Sequence, residues 1–142
     1  MSHSAYSGKP LFIKLGLKPD MKFMLLYEPE HYEEMLGLPF KSMLCREIAE
    51  ADCIHFFARN RSIFEITMEK IRVQIKPVCF IWVSWYKKKS GIPTDLTETY
   101  IRDYSIRLQL VDIKICSVNE EWSGLKFVIP VLKRNIQATK GI

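Results

Sequence analysis

Apolar positions along this chain alternate between two periods. Val78 to Val83 is a continuous apolar run between Pro77 and Ser84. That is the pattern of a strand buried on both faces, and such strands belong to parallel sheets. Met21 to Leu26 and Asp52 to Ala58 read as further strands, and Ser42 to Arg46 as a brief one between them. Elsewhere the period lengthens to that of a helix. Phe64, Met68, Ile71 and Ile75 recur at helical spacing within Ser62 to Ile75, and Leu96, Tyr100, Ile101, Tyr104 and Leu108 do so within Leu96 to Leu108. Both stripes predict amphipathic helices packed on a core. Near the end, Val111 to Val118 and Leu125 to Leu132 are joined by a short polar connection, which predicts an antiparallel hairpin.

Proline, glycine and acidic residues set the boundaries. Pro10 suits the first turn of a short helix, PLFIKLGL, stopped by Gly16, and Pro29 begins another that runs through Leu36 to Gly37. Glu28, Glu30, Glu33 and Glu34 crowd the start of the second, where negative charge complements the helix dipole. Asp95 is expected to cap the helix that follows the central strand, with Glu98 three residues later as its capping-box partner. Pro130 cannot donate to a ladder and is expected at a strand end or bulge. The order is helix, strand, helix, short strand, strand, helix, strand, helix, and two final strands. It predicts an α/β, three-layer fold: a mostly parallel sheet covered on both faces, with right-handed crossovers, closed by a C-terminal antiparallel hairpin strand. One domain spans 1–142, with residues 1–9 as a flexible start.

Composition narrows the function classes. The formal charge of +5 and pI near 9.0 come from clusters at Lys87 to Lys89, Arg59 with Arg61, and Lys133 with Arg134. This is a weaker footprint than that of a typical nucleic-acid binder. Cys45, Cys53, Cys79 and Cys116 are well separated, and His3, His31 and His55 are scattered, so no metal site is expected. The cysteines read as small core residues in a reducing compartment, and His55, within CIHFF, as a satisfied core or edge histidine. No apolar run approaches the length of a membrane span, and a cytoplasmic location is expected.

Ligands of open parallel sheets sit at the carboxyl ends of strands. One rim would collect Glu28, Arg59, Arg61, Ser84, Trp85, Lys87, Lys88, Asp95, Glu120 and Trp122. Cations beside aromatics near a helix start can hold a phosphate or carboxylate. Three consecutive lysines repel one another unless an anion is present. The candidate ligand-binding residues are therefore Arg59, Arg61, Ser84, Trp85, Lys87, Lys88 and Trp122. Trp122-Ser123-Gly124 implies a defined seat for the ring, in the core or against a ligand. Ser84 and Ser123 lack the partners and flanking glycines of a nucleophile, and Gly8-Lys9 lacks the rest of a phosphate loop. No complete catalytic constellation is present, so the sequence assigns no reaction and no catalytic residue. The leading expectation is a module that binds a small anionic ligand or a protein partner at this rim. Nucleic-acid binding through the basic loop ranks behind it. The terminal hairpin leaves a sheet edge, so the chain is expected to be a monomer or an edge-paired dimer.

Two resemblances sharpen this picture. LGLKPDMKFMLL at Leu15 to Leu26, IKPVCFIWVS at Ile75 to Ser84 and the terminal hairpin resemble the class I methyltransferase-type Rossmann fold. That resemblance implies S-adenosylmethionine as cofactor, held by a Gly-rich turn after the first strand and an acidic residue ending the second. The corresponding turn here is Tyr27-Glu28-Pro29-Glu30-His31, without glycine, and the acid would be Glu47 or Glu50. Tyr27 and Glu28 would contact the cofactor in a divergent methyltransferase, the alternative function. More of the chain is similar to a bacterial family of unknown function, number 3052. The likeness lies in YSGKPLFIKLGLKP at Tyr6 to Pro19, WVSW with its lysines, TDLTE at Thr94 to Glu98, and LVDIKICSVNEEWSGLKFV at Leu110 to Val128. The chain departs from that family's pattern at Tyr86, where proline is expected, and at Asn119, where aspartate is expected. The family implies a compact Rossmann-type fold and no established activity.

Overall fold

The computed structural model describes residues 9–131. His3, Gly8, Leu132, Lys133 and Arg134, and nearly all of the expected flexible start, lie outside them. Five strands, β1 (Phe23–Leu26), β2 (Cys53–Phe57), β3 (Phe80–Tyr86), β4 (Val111–Ser117) and β5 (Trp122–Val128), form one sheet in the order β1-β2-β3-β5-β4. β1, β2 and β3 pair in parallel, and β5 lies antiparallel between β3 and β4. Among the described residues, four α-helices accompany them: α1 (Leu11–Leu15), α2 (Tyr32–Leu36), α3 (Arg61–Gln74) and α4 (Glu98–Arg107). Among the described residues, no helix is long and apolar enough to cross a membrane.

The core divides into two clusters that take alternate residues of the sheet. Ile81, Val83 and Trp85 of β3 pack with Phe64, Met68 and Ile71 of α3 and Ile101 of α4. Trp82, between them in sequence, packs with Leu11 and Leu15 of α1, Tyr32 and Leu36 of α2, and Trp122. β3 is thus apolar on both sides, as its unbroken hydrophobic run predicts. All four stripe residues of α3 are buried, and both short helices stop at glycines with left-handed φ, Gly16 and Gly37.

Several boundaries differ from the sequence reading. Val78 lies in a turn after Pro77 and is 65% exposed. β3 instead continues through Ser84, Trp85 and Tyr86, because β5 offers them Gly124, Ser123 and Trp122 as partners. β5 accordingly starts at Trp122 rather than Leu125 and ends before Pro130. The brief strand expected at Ser42 to Arg46 is not formed. A 3₁₀ turn occupies Lys41–Met43, and Leu44 makes a single bridge to Phe23. The 3₁₀ turn takes the Leu44 N–H to the Lys41 carbonyl, so the segment meets β1 only through that bridge and the Cys45 N–H donated to the Phe23 carbonyl. α2 begins at Tyr32, which leaves Glu28 and Glu30 outside it. α4 is capped by Thr97, whose hydroxyl oxygen accepts from the Tyr100 N–H at 3.1 Å. Asp95 is not that cap. Its carboxylate accepts the Arg61 N–H at 2.9 Å, at the start of α3.

Candidate functional site

The carboxyl end of β3 opens onto a groove of about 830 Å³. The sequence builds it from the loop that leaves the strand. The Lys87 N–H donates to the Glu121 carbonyl at 2.8 Å, tying the loop to the hairpin turn. Ser90 Oγ donates to the Lys87 carbonyl at 2.7 Å and accepts the Ile92 N–H. Gly91 ends the 3₁₀ turn Lys88–Ser90 with φ of 77°, a conformation that favours glycine. Thr94 Oγ1 then donates to the Arg59 carbonyl at 3.0 Å, which anchors the far wall to the end of β2.

Trp85, Lys87, Lys88 and Lys89 line the groove, together with Thr97, Glu98 and Thr99 at the start of α4 and Ser123 of β5. Trp85 and Ser123 are paired residues, and Ser123 is in turn paired with Ser117, so the three form one row across the sheet. Lys87 reaches along that row, its Nζ 2.5 Å from Ser117 Oγ, and Lys14 Nζ donates to the Ser117 carbonyl at 3.1 Å. Partial burial, then the neighbouring Lys89 and Lys14 charges, push the Lys87 ammonium below its ordinary pKa.

Of the candidates, the groove brings together Trp85, Lys87 and Lys88. The others are placed elsewhere. Trp122 is 1% exposed: it stacks on Tyr86 (centroids 4.2 Å, 28°), meets Phe57 edge-on, and carries Arg59 over its face at 5.2 Å. Its seat is the core, and Gly124, in the same strand, makes room for a different ring, since a Cβ there would lie 3.1 Å from Val118 and 3.2 Å from Trp82. Arg59 also donates to the Tyr27 carbonyl at 2.6 Å. Arg61 lies 3.9 Å over Tyr100 and donates from Nε to the Asp95 carbonyl. Glu28 and Glu120 are exposed.

Ser84 belongs to a buried polar row. His55, fully buried, shares hydrogen bonds with Ser84 Oγ at 2.8 Å and with Tyr32 Oη at 2.7 Å. Burial lowers the His55 pKa to about 3 and raises that of Tyr32. His55 is the satisfied core histidine that its sequence context predicts. The groove hydroxyls, the Ser117 tether and the Tyr32 partner carry no sequence signal, because each is brought in by register or by the docking of an element distant in the chain.

Tyr27 and Glu28, the possible cofactor residues, follow β1. Tyr27 is 53% exposed with φ of 59°, and His31, at the other end of the turn, has φ of 63°. Glu47 and Glu50 are exposed around a 3₁₀ turn rather than at a strand end. Among the described residues, no group of three or more His, Cys, Asp or Glu is placed to hold a metal ion.

No protein-family model matches the chain, and no curated protein matches it. Solved structures do. The tRNA methyltransferase TrmK of B. subtilis is similar at a TM-score of 0.52 and 11% identity, over 86% of this chain and 66% of that one. A putative type 11 methyltransferase from Sulfolobus solfataricus is similar at 0.50 and 12%, over 91% of this chain and 89% of that one. The chain thus spans just under two thirds of the length of the first. At such identity the likeness is one of fold: a mixed α/β chain with a five-stranded sheet, similar to methyltransferase Rossmann-like folds.

Proposed function

We propose that this chain is a compact, three-layer Rossmann-like module, akin to the bacterial family 3052, that binds a small anionic ligand in the groove beyond β3. The observation that carries the reading is the groove itself, where three consecutive lysines meet a concave surface at the carboxyl end of a central strand. None of the three lysines has a salt bridge among the described residues. Clustered cations without carboxylate partners repel, and a bound anion removes that cost. The volume falls in the range of small-molecule sites, roughly 300–1,000 Å³. Isothermal titration of the Lys87→Ala/Lys88→Ala variant with inorganic phosphate, sulfate and citrate tests the proposal. The variant should bind at least tenfold more weakly than the parent. Unchanged affinity for every anion that binds the parent would sink it.

A second reading, a divergent S-adenosylmethionine-dependent methyltransferase, is favoured by the fold of the two structural neighbours. Against it stand the turn after β1, which holds no glycine to admit a cofactor close to the backbone, and the Tyr27 carbonyl, which already accepts from Arg59. A thermal-shift titration with S-adenosylmethionine separates the readings. A ligand at a hundred times its dissociation constant stabilises the native state by about 2.7 kcal/mol, and such a rise would put the methyltransferase reading first.

A further inference from the structure

The anion-site reading leaves the ligand's chemistry open, and the groove lining narrows it. Its polar part is rich in donors. Lys87, Lys88 and Lys89 bring three ammonium groups. Thr97 already accepts from Tyr100, so its hydroxyl hydrogen is left to donate. The N–H groups of Glu98 and Thr99, in the first turn of α4, have no acceptor within the helix. Among the described residues of the lining, Glu98 is the single carboxylate, and Arg102 holds it while also pairing with Asp112 at 3.0 Å. The rest of the lining includes an apolar set: Trp85, Leu96, Ile92 and Pro93.

Resting on that reading of the same groove, we infer that its ligand is a phosphate monoester carrying an apolar or planar body. A carboxylate brings one negative charge on two oxygens, too little to offset three neighbouring ammonium groups. A phosphomonoester brings nearly two charges on three acceptor oxygens, and lysine is a common point-charge partner for it. Lys87 is the pre-positioned anchor, because its contact with Ser117 Oγ fixes where the side chain lies. Inorganic phosphate alone would fill little of about 830 Å³ and would leave uncovered the accessible apolar side of the lining, Ile92 and Pro93 beside the partly exposed Tyr86. An apolar body covers them.

The test is isothermal titration of the full chain and of Lys87→Ala/Lys88→Ala with phenyl phosphate, benzoate and inorganic phosphate. Phenyl phosphate should bind the parent at least tenfold more tightly than either of the others. Its affinity should fall about tenfold from pH 7 to pH 5, as the proton with pKa near 6 returns to the phosphate. Benzoate, mostly ionised at both values, should not follow. The double variant should lose both the affinity for phenyl phosphate and its pH dependence. If benzoate binds as well as phenyl phosphate and both need the lysines, the phosphate monoester is overturned while the anion site stands. If no probe binds, or binding ignores the lysines, the anion site falls too.

Discussion

The rim of the sheet has two ends, and they use positive charge in opposite ways. Beyond β1 and β2 the chain departs to different clusters: α2 packs with Trp82, and α3 with Ile81 and Val83. Such a divergence is where open α/β sheets usually take their ligands. Here Arg59 fills that end, donating to the Tyr27 carbonyl, covering Trp122 and accepting Thr94 on its own carbonyl. Beyond β3 the cations are lysines, and they line an open groove. Other arginines also make packed contacts. Arg61 and Arg107 cover Tyr100 and Tyr104, Arg102 joins Glu98 to Asp112, and Arg72 donates to the Leu108 carbonyl. A planar guanidinium stacks and forks, whereas an ammonium is a hydrated point charge on a flexible stem. At the rim, arginine therefore closes one end and the lysines of the β3 loop line the groove at the other; elsewhere lysines also join elements, Lys14 through the Ser117 carbonyl and Lys76 through Asp52.

The strongest way to break the contrast is Trp122→Ala. It removes the ring on which Tyr86, Phe57 and Arg59 converge and should cost about 3–5 kcal/mol in denaturant unfolding. A loss below about 1 kcal/mol would mean that the closed end is not held by that ring.

The next effect comes from the seam between the two ends. His55 on β2 and Ser84 on β3 share a buried hydrogen bond, and the folded pKa of His55 lies at about 3, against an ordinary value of 6.5. Below pH 6.5 the unfolded chain binds a proton that the folded chain refuses. Stability from keeping His55 neutral is therefore present above pH 6.5 and is lost as pH falls toward about 3, with a slope approaching 1.4 kcal/mol per pH unit. Chemical denaturation from pH 7 to pH 4 should show this slope beyond that of the carboxylates, and His55→Gln should flatten it. An equal slope in the variant would place the acid sensitivity elsewhere.

Arg59→Lys keeps the charge but loses the stacked plane. It should destabilise by about 1 kcal/mol and leave phosphate affinity at the groove unchanged. A fall in anion affinity would show that the closed end belongs to the site after all. Smallest of all, Lys88→Ala should change stability by no more than about 0.5 kcal/mol, since the side chain is exposed and has no salt bridge among the described residues. A larger loss would make it a structural residue.

Much of the site's location was legible and much of its membership was not. The lysine loop was readable because a buried strand must end, and three cations beside Trp85 follow at once in the chain. Arg59, Arg61 and Trp122 look alike on paper, as cations and an aromatic at strand ends, yet their partners lie 32, 34 and 65 residues away at Tyr27, Asp95 and Phe57. Asp95 shows the same ambiguity. Its position before a helix suits a cap, but the docking of α3 supplies a different N–H to accept.

By itself, the sequence determined what short-range physics controls: the helix stripes, the glycine stops at Gly16 and Gly37, the doubly buried strand, and the hairpin with its antiparallel pairing. These depend on side-chain period and local φ, which neighbouring residues set. Only the tertiary structure decided that β5 enters between β3 and β4, because that choice depends on which edge remains free once the helices are packed. From that insertion follow the row Trp85, Ser123 and Ser117, the extension of Lys87 along it, and the burial of Trp122. The chain encodes the cations locally, and the strand order decides which of them become mortar and which face an open groove.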